Sequence, residues 1–575
     1  MAVRGRRPKV NDDPGLEFKL RTRRSALAVI FSGAGAAVLT ACGGAAAPPV
    51  ATQAPAAATQ APPAAPKPTL AATQAPAAPT SAPPTATAVA AAKPATTPKS
   101  GGTLRFGQIG DLVNLDPHFN QGSSENTWLP YDRLTTYDLS FQPHPMLAES
   151  WDVSSDARQV KFNLRKGVQF HSGREMTSDD VKYSILRVRD PKIGVAQYAA
   201  QSNWFQGVET PDKYTVVLTS DNPRPSMFDF FEVLNIADRD VVDGPDAKNK
   251  DGGTGPFIFT EWAPGDHATY ARNPNYWQTG RPYLDSVRVS FLRDAQAMVV
   301  QFEADSLDLI RNPTKAEFVR LKGNTQYQAI QHPANVGAYG LGINVKRPPL
   351  DNKQVRQALN YAIDRKRFVD TILDGVGTPL SLPWAETFPM YEANKANFYT
   401  FDLDKARGLL AGAGISDLTL EMIPNPGDPD SVTFAEMYQS DLAKIGITQN
   451  IVRLDMAAWS DQVNGNKFAG LYVAGSNLAL SPGTIFTVSR PIGPVNNNEG
   501  FEDETYSRLV SELALETDPV KQKQLYSQLN DILLDECFFN FLSPNYFIGV
   551  ASNKVHDITP NMHGGWYFID TWLDS

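Results

Sequence analysis

The stretch that decides the fold reads NVKRPPLD at residues 344–351 and continues as VRQALNYAIDR at residues 355–365. The second part has the period of an amphipathic helix, because its apolar residues recur at three- and four-residue spacing. Those on one face are Val355, Ala358, Leu359, Ala362 and Ile363. Asp351 precedes the helix as a capping candidate, and basic residues 365–367 follow near its end. The stretch therefore predicts a turn and a helix that packs on a core.

The regions on either side alternate between short β-branched runs and amphipathic helices. Thr177 and Asp180 have the spacing of a capping box that opens a helix through Val188. Residues 433–444 predict a helix that stops at Gly446, and residues 447–454 predict a strand. From residue 101 onward, this alternation is typical of an α/β fold.

Seven more strings accompany the first stretch. They are GGTLR (101–105), LAESW (147–151), KFNLRKGVQFHSG (161–173), TSDDVKY (177–183), GTGPF (253–257), ARNPNYW (271–277) and DKARGLL (404–410). In this order and spacing, the strings resemble the bacterial extracellular solute-binding proteins of family 5. Members of that family serve ABC importers of dipeptides, oligopeptides, nickel and other solutes. The resemblance covers nearly all of residues 101–575.

The resemblance implies a two-lobed periplasmic-binding-protein-like fold with an extra α/β domain inserted in lobe I. Transferred to this sequence, lobe I takes residues 101–140, 236–340 and 546–575, the inserted domain takes 141–235, and lobe II takes 341–545. It further implies a monomer that traps a solute by lobe closure and hands it to the permease subunits of an ABC importer. An enzymatic activity is not expected.

Inside the strings, glycines and a histidine are interpreted as structural. Gly167, Gly173, Gly253 and Gly255 suit turns that need unusual backbone angles. His171 is interpreted as a turn residue beside the core rather than a ligand, because no cluster of histidines or carboxylates accompanies it in the sequence.

The first 41 residues have the pattern of an export signal. Eight basic residues precede an uncharged run of about 16 residues at 25–40, which is too short to span a bilayer. LTAC at residues 39–42 resembles the lipobox of bacterial lipoproteins, which implies cleavage before Cys42 and a lipid anchor on its thiol. TRRSAL at 22–27 is similar to a twin-arginine signal, but Ala26 departs from that pattern, so the general secretory route stays open.

Residues 42–100 are predicted to be a disordered linker. Ala, Pro, Thr and Gln make up almost all of this segment, which has too little bulky apolar surface to offset the entropy of folding. A linker after a lipidated Cys42 would tether a folded receptor to a membrane, on the side facing the periplasm or the cell exterior.

Composition excludes several other partners. The net charge is −9, and no basic block lies in the folded region, so a nucleic-acid partner is not expected. The seven histidines show no pairing at metal-ligand spacing. Cys537 stands alone beside two phenylalanines, as a core thiol would. Neither a metal nor another cofactor is expected.

The segment before Pro482 bears on the kind of solute. Peptide-binding members of the family carry a Gly-Trp-x-x-Asp-Tyr-like segment whose aspartate pairs with the α-ammonium group of the peptide. At the matching positions this sequence has Gly475 and Leu478, and no acid lies between Asp461 and Glu499. A peptide with a free amino terminus is therefore disfavoured, unless a carboxylate from elsewhere enters the cleft.

The sequence thus favours an oligosaccharide or another uncharged polar solute, with a peptide as the alternative. Gly475, Ser476 and Asn477 offer a small neutral surface with hydrogen-bonding groups. Five aromatic residues are candidate stacking platforms, although core packing is the more common role of such residues: Trp128, Tyr137, Trp384, Trp459 and Phe486. Arg490 is a candidate contact for an acidic solute.

Two other classes of protein stay open. An exported hydrolase would need a catalytic constellation, and none of the usual serine-hydrolase, zinc-protease or phosphate-loop motifs occurs in a matching context. A sensory co-receptor could use the same cleft, and only its partner would distinguish it.

Overall fold

The structure, a computed structural model, describes residues 97–119, 125–190, 192–193, 201–245, 247, 249–332, 337–477 and 481–574. The export signal, Cys42 and most of the linker lie outside the described residues. The side chains of Ser476, Asn477 and Pro482 lie outside them as well.

The largest sheet has seven strands. In spatial order they are Tyr327–Gln331, Ile548–Ser552, Leu309–Arg311, Thr103–Ile109, Ser286–Leu292, His267–Arg272 and Phe257–Ala263. Thr103–Ile109 runs parallel to both of its neighbours, and the helix Ala295–Glu303 lies in the chain between those neighbours. The unit built on this sheet is called lobe I below.

A four-stranded antiparallel sheet is inserted into this unit. Its strands, in spatial order, are Ala148–Val153, Gln159–Leu164, Thr215–Thr219 and Gly207–Asp212. All four fall in the chain between Thr103–Ile109 and Phe257–Ala263 of the seven-stranded sheet. This sheet and the helices Ser178–Arg187 and Phe228–Val233, which share its apolar core, are called the inserted unit.

A five-stranded mixed sheet forms the third unit, called lobe II. Its spatial order is Ile447–Ile451, Leu418–Pro424, Leu471–Asn477, Gly337–Ile343 and Phe539–Asn545. The first three strands are parallel, and the last two run antiparallel to their neighbours. A single large apolar core surrounds this sheet and also takes in Phe141 and Met562 from outside lobe II.

Three ribbons and the remaining helices complete the described chain. Three two-stranded ribbons pair Thr135–Tyr137 with Pro143–Pro145, Val555–His556 with Trp572–Leu573, and Thr559–Pro560 with Trp566–Tyr567. The remaining α-helices are Glu125–Trp128, Arg239–Val242, Lys315–Lys322, Lys353–Tyr361, Arg365–Arg367, Ala393–Ala396, Leu403–Gly412, Pro429–Ala443, Met456–Asn464, Pro482–Val488, Glu504–Leu515 and Pro519–Glu536, and Phe368–Ile372 is a π-helical turn. Among the described residues, no helix has both the length and the apolar character that a bilayer crossing requires.

The helix predictions from sequence hold with shifted ends. The Asp180 carboxylate accepts a hydrogen bond from the Thr177 backbone N–H over 2.8 Å, and the Thr177 side chain accepts from the backbone of Asp180 in return, as a capping box requires. The helix predicted after Asp351 is capped by Asn352, whose side chain accepts from the Gln354 N–H. The helix before Gly446 begins at Pro429, four residues earlier than predicted, because Asp428 caps it.

The interpretation of the glycines is correct for two of the four. Gly167 and Gly173 have φ angles of 73° and 87°, which side chains rarely adopt. Gly253 and Gly255 are needed for a different reason, since a Cβ on Gly253 would lie 1.7 Å from the Pro130 carbonyl oxygen. They allow two backbone segments to touch, which sequence alone does not reveal.

The structure agrees with a structural role for His171, and it adds an acidic neighbour that the sequence pattern does not reveal. Its Nδ1 hydrogen-bonds to the carboxylate of Asp251, 80 residues away, and its Nε2 lies 3.0 Å from the Gly255 carbonyl oxygen. Burial alone would lower the pKa of His171, but the charge and hydrogen bond of Asp251 outweigh burial and raise it. The histidine is structural, and it ties the inserted unit to lobe I.

Candidate functional site

The two large sheets meet at the carboxyl ends of their parallel strands. In lobe I, Ile109 pairs with Leu292, and Arg311 and Gln331 end at the same edge beside Gly549 and Ile548. In lobe II, Asn477 and Asn545 both pair with Gly337 at the corresponding edge.

The chain crosses between the lobes at these two edges. One connection leads from Gln331 to Gly337 and the other from Asn545 to Ile548. The carboxyl edge of a parallel sheet is where open α/β folds bind ligands. The space between the two edges, called the cleft below, is therefore the candidate binding site.

An ion pair bridges the cleft. Lys315 begins the helix that follows strand Leu309–Arg311 of lobe I, and Asp430 lies in the first turn of the helix that follows strand Leu418–Pro424 of lobe II. Their side chains are bonded to each other, and each is about one-fifth exposed. The pair is thus accessible to a solute that brings charges of its own.

Tyr339 anchors this ion pair to the sheet of lobe II. Its hydroxyl donates to Asp430 over 2.8 Å and accepts from Lys315 Nζ over 3.2 Å. Burial, and then the charge of Asp430, raise the pKa of the phenol well above its usual range, so it stays a neutral donor. Asp428 is nearby, and burial raises its pKa, helped by the charge of Asp430. Asp428 caps its own helix by accepting from the Asp430 N–H and the Ser431 hydroxyl, so Asp430 is the carboxylate that pairs with Lys315.

Open space lies beside this cluster. Gly475 pairs with Tyr339 across the sheet, is exposed, and has no heavy atom within 4 Å of the position a Cβ would take. The strand that carries Gly475 ends two residues later at the cleft edge. Gly475 is thus the predicted ligand-binding residue whose cross-strand partner, Tyr339, contacts both members of the Lys315–Asp430 pair.

Lobe I contributes a second cation at its edge. Arg311 Nη1 donates to Glu125 over 2.6 Å, and its guanidinium lies 4.8 Å from the centre of the Phe547 ring. Glu125 is fully buried, whereas the Arg311 side chain is 15% exposed. Because Phe547 belongs to the connection between the lobes, this cation lies where the cleft meets the connection.

The structure disperses the other predicted site residues. The Tyr137 hydroxyl donates to Asp229 over 3.1 Å, and its ring packs against the core of lobe II. Trp384 is 1% exposed, and the core of lobe II covers its ring. Its indole N–H donates to Asn530 over 2.8 Å. In this conformation no face of the Trp384 ring is open to a ligand, because core side chains pack against it.

Trp459 and Arg490 also lie apart from the open space beside Gly475. Trp459 is half-buried against the core of lobe II, 6.4 Å from the ring of Tyr472, and its Nε1 has no partner within the described chain. Arg490 is exposed and donates to the carbonyl oxygen of Asn464, the last residue of its helix. That helix leads towards the amino edge of the sheet, so the structure does not bring Arg490 to the cleft edge.

Sequence reasoning missed Lys315 and Asp430. The segment between Asp461 and Glu499 contains no acid, whereas Asp430 lies at the start of the helix that follows the adjacent strand of the same sheet. The available signal was the polar run directly after the buried strand Leu418–Pro424. Among the described residues, no group of three or more His, Cys, Asp or Glu side chains could hold a metal ion.

Comparison with known proteins places the chain among binding proteins. The sequence model of the family described as bacterial extracellular solute-binding proteins, family 5 Middle, matches residues 142–487. Heme-binding protein A of Haemophilus influenzae is 30% identical over 440 residues, which cover 70% of this chain and 79% of that protein. Di/tripeptide-binding protein 1 of Pseudomonas aeruginosa is 28% identical over 465 residues, which cover 74% of this chain and 85% of that protein.

A solved structure shows the same fold. HbpA2 from Haemophilus parasuis superposes with a TM-score of 0.73 at 25% sequence identity, and the match covers 82% of this chain and all of that chain. The two lobes and the cleft between them are therefore shared with a protein of similar sequence.

Proposed function

The chain belongs to the bacterial extracellular solute-binding proteins of family 5, and from that premise we propose that it captures a peptide in the cleft and delivers it to a membrane permease. The family supplies the extracytoplasmic solute-binding components of ABC importers. The observation that carries the peptide proposal is the Lys315–Asp430 pair, which places opposite charges on opposite lobes.

A free peptide end fits this pair by exchange of partners. An α-ammonium group that enters the cleft can replace Lys315 as the partner of Asp430. A carboxylate of the ligand can then form an ion pair with Lys315. A charged hydrogen bond gained in this way compensates for the water that the ligand charge loses.

We propose a peptide as the ligand instead of the neutral oligosaccharide that the sequence favours. That preference rested on a missing aspartate near Gly475, and Asp430 is a carboxylate that enters the cleft from elsewhere. A relative similar over most of its length is named for di- and tripeptides, which supports the same choice.

Lobe closure is the proposed capture step. In the described sheets the chain leaves lobe I after Gln331, enters lobe II at Gly337 and returns to lobe I between Asn545 and Ile548, so we infer that the lobes move about the connection at residues 545–548. A ligand that contacts Asp430 on one lobe and Lys315 on the other stabilises the state in which both are close.

The tether and the domain limits are proposed from sequence. We propose a lipid on Cys42, a flexible linker over residues 42–100, a monomeric receptor, and boundaries of 101–140, 236–340 and 546–575 for lobe I, 141–235 for the inserted domain and 341–545 for lobe II. Membrane fractionation tests the anchor, because Cys42→Ser should release the protein into the soluble fraction. A variant that stays with the membrane would contradict the lipid at Cys42.

Calorimetric titration with matched peptides tests the ligand. A tripeptide with a free amino end should bind, and the same tripeptide with an acetylated amino end should bind at least tenfold more weakly, because it brings no charge to Asp430. Equal binding of both forms, or binding of heme or oligosaccharide alone, would contradict the proposal.

A further inference from the structure

The inserted unit touches lobe II through one buried carboxylate. Asp229 lies in the first turn of the helix Phe228–Val233, which packs on the inserted sheet. Its side chain accepts hydrogen bonds from the Ser481 hydroxyl over 2.6 Å and from the Ser481 backbone N–H over 3.2 Å. Ser481 belongs to lobe II, where it precedes the helix Pro482–Val488.

Asp229 is held by neutral donors from both sides. The Tyr137 hydroxyl donates to it over 3.1 Å from the ribbon of lobe I, and the Thr484 hydroxyl adds a second contact from lobe II. Asp229 is 3% exposed, so its hydrogen bonds come from these protein donors and not from water. Separation of the lobes would remove the donors of Ser481 and Thr484 together.

Ser481 is close in sequence to the cleft edge. It follows the end of strand Leu471–Asn477 by four residues, and this strand carries Gly475 beside the Lys315–Asp430 pair. A bond that fixes Ser481 therefore fixes the start of the next helix. The inserted unit, which contributes nothing to the ion pair itself, acts on the cleft through this contact.

We propose that Asp229 is a positioning residue that latches lobe II in the ligand-holding state through Ser481. This inference rests on the proposed function, because the latch matters only if lobe closure retains a solute. The latch, defined as the contacts of Asp229 with Ser481 and Thr484, slows ligand release without touching the ligand. It gives the inserted unit a role in solute retention.

The latch depends on pH in a defined direction. Burial raises the pKa of Asp229 in the latched state, opposed by the hydrogen bonds from Ser481, Thr484 and Tyr137. The other titratable groups that face it are Glu232 on the same helix, Arg224, and Tyr526 from lobe II. Since the contacts that define the latch lower the pKa of Asp229, they favour the ionised carboxylate, and their contribution is lost as pH falls through the latched pKa.

Measurement of ligand release tests the latch. With a bound tripeptide as the probe, D229A should increase the dissociation rate roughly tenfold and leave the association rate within twofold, because two hydrogen bonds to a carboxylate are lost. D229N keeps acceptor oxygen for Ser481 and should restore slow release, but without the pH dependence. S481A removes one of the donors of lobe II and keeps the Ser481 backbone N–H and the Thr484 hydroxyl, so its release rate should lie between those of wild type and D229A, and the double variant should be no faster than D229A.

Controls separate the latch from folding and from the proposed function. D221A, an exposed aspartate on the inserted unit, should behave as the wild-type protein. Solution scattering without ligand should show D229A more extended than wild type, which does not depend on the identity of the solute. If D229A and S481A leave both release and scattering unchanged, the latch is wrong. If scattering changes but no peptide binds to the wild-type protein, the proposed function is wrong and the latch is not.

Discussion

Asp430 is the residue on which the choice of ligand depends. It faces Lys315 across the cleft and is held by Tyr339, so its carboxylate is oriented before any ligand arrives. We expect D430N to weaken binding of a tripeptide by about 1.5–3 kcal/mol, or roughly ten- to a hundredfold, since the ammonium group loses its charged acceptor. Isothermal titration calorimetry at neutral pH measures the change.

Two companion variants make the result specific. D404N removes a carboxylate that is 93% exposed on another helix of lobe II, and should leave binding unchanged. K315M removes the internal competitor for Asp430 and should preserve discrimination between free and acetylated amino ends. If D430N binds the free tripeptide as tightly as wild type does, Asp430 is not the ammonium site.

His171 gives a pH dependence of a different origin. Asp251 raises its pKa above 6.5 in the folded protein, against the effect of burial. The stabilisation is therefore fully present below about pH 6.5, the pKa in the unfolded chain, and is lost as pH rises through the folded pKa. NMR titration of the imidazole should give a pKa above 6.5, and D251N should lower it. A folded pKa at or below 6.5 would contradict this assignment.

At the scale of elements, Gly253 sets how closely two segments approach. A Cβ there would lie 1.7 Å from the Pro130 carbonyl oxygen, and backbone cannot give way as a flexible side chain can. We expect G253A to destabilise the protein by about 3 kcal/mol or more, measured by urea unfolding.

The matched control for this substitution is Gly408. It lies inside the helix Leu403–Gly412, and a Cβ there meets nothing within 4 Å. G408A should leave stability unchanged or raise it by up to about 1 kcal/mol, because alanine favours a helix. Equal effects of G253A and G408A would show that the approach to Pro130 is not tight.

Sequence predicts the helices and strands better than it predicts the contacts between them. Local signals, such as the capping box at Thr177 and the stop at Gly446, identify helices because their causes lie within a few residues. The pairing of His171 with Asp251 joins residues 80 apart, and Lys315 with Asp430 joins residues 115 apart. Such contacts depend on sheet order, which periodicity does not specify.

The candidate site shows the same limit. Gly475 is predicted from sequence to bind the ligand, and the structure places it on a strand that ends at the cleft edge, with open space beside it; its role in binding stays a prediction. Trp384 could not be placed by sequence, since a buried and an exposed tryptophan look alike there, and its burial depends on Asn530 and on the packed core.

At the scale of the whole molecule, the two connections between the lobes allow a change in shape. A ligand that joins Asp430 to Lys315 should lower the radius of gyration, because it favours the state in which the lobes are close. Small-angle X-ray scattering with and without saturating tripeptide measures this compaction, and D430N should reduce it. An unchanged radius with bound peptide would contradict capture by lobe closure.

The measurement that tests the central claim most directly is native mass spectrometry of the protein purified from its own host. A solute-binding protein that closes over its ligand should retain some of it through purification. The account predicts an added mass that fragments into amino acids, in the range of a short peptide, and that D430N carries in smaller amount. An added mass that proves to be a sugar, heme or a metal chelate, retained equally by D430N, would contradict it.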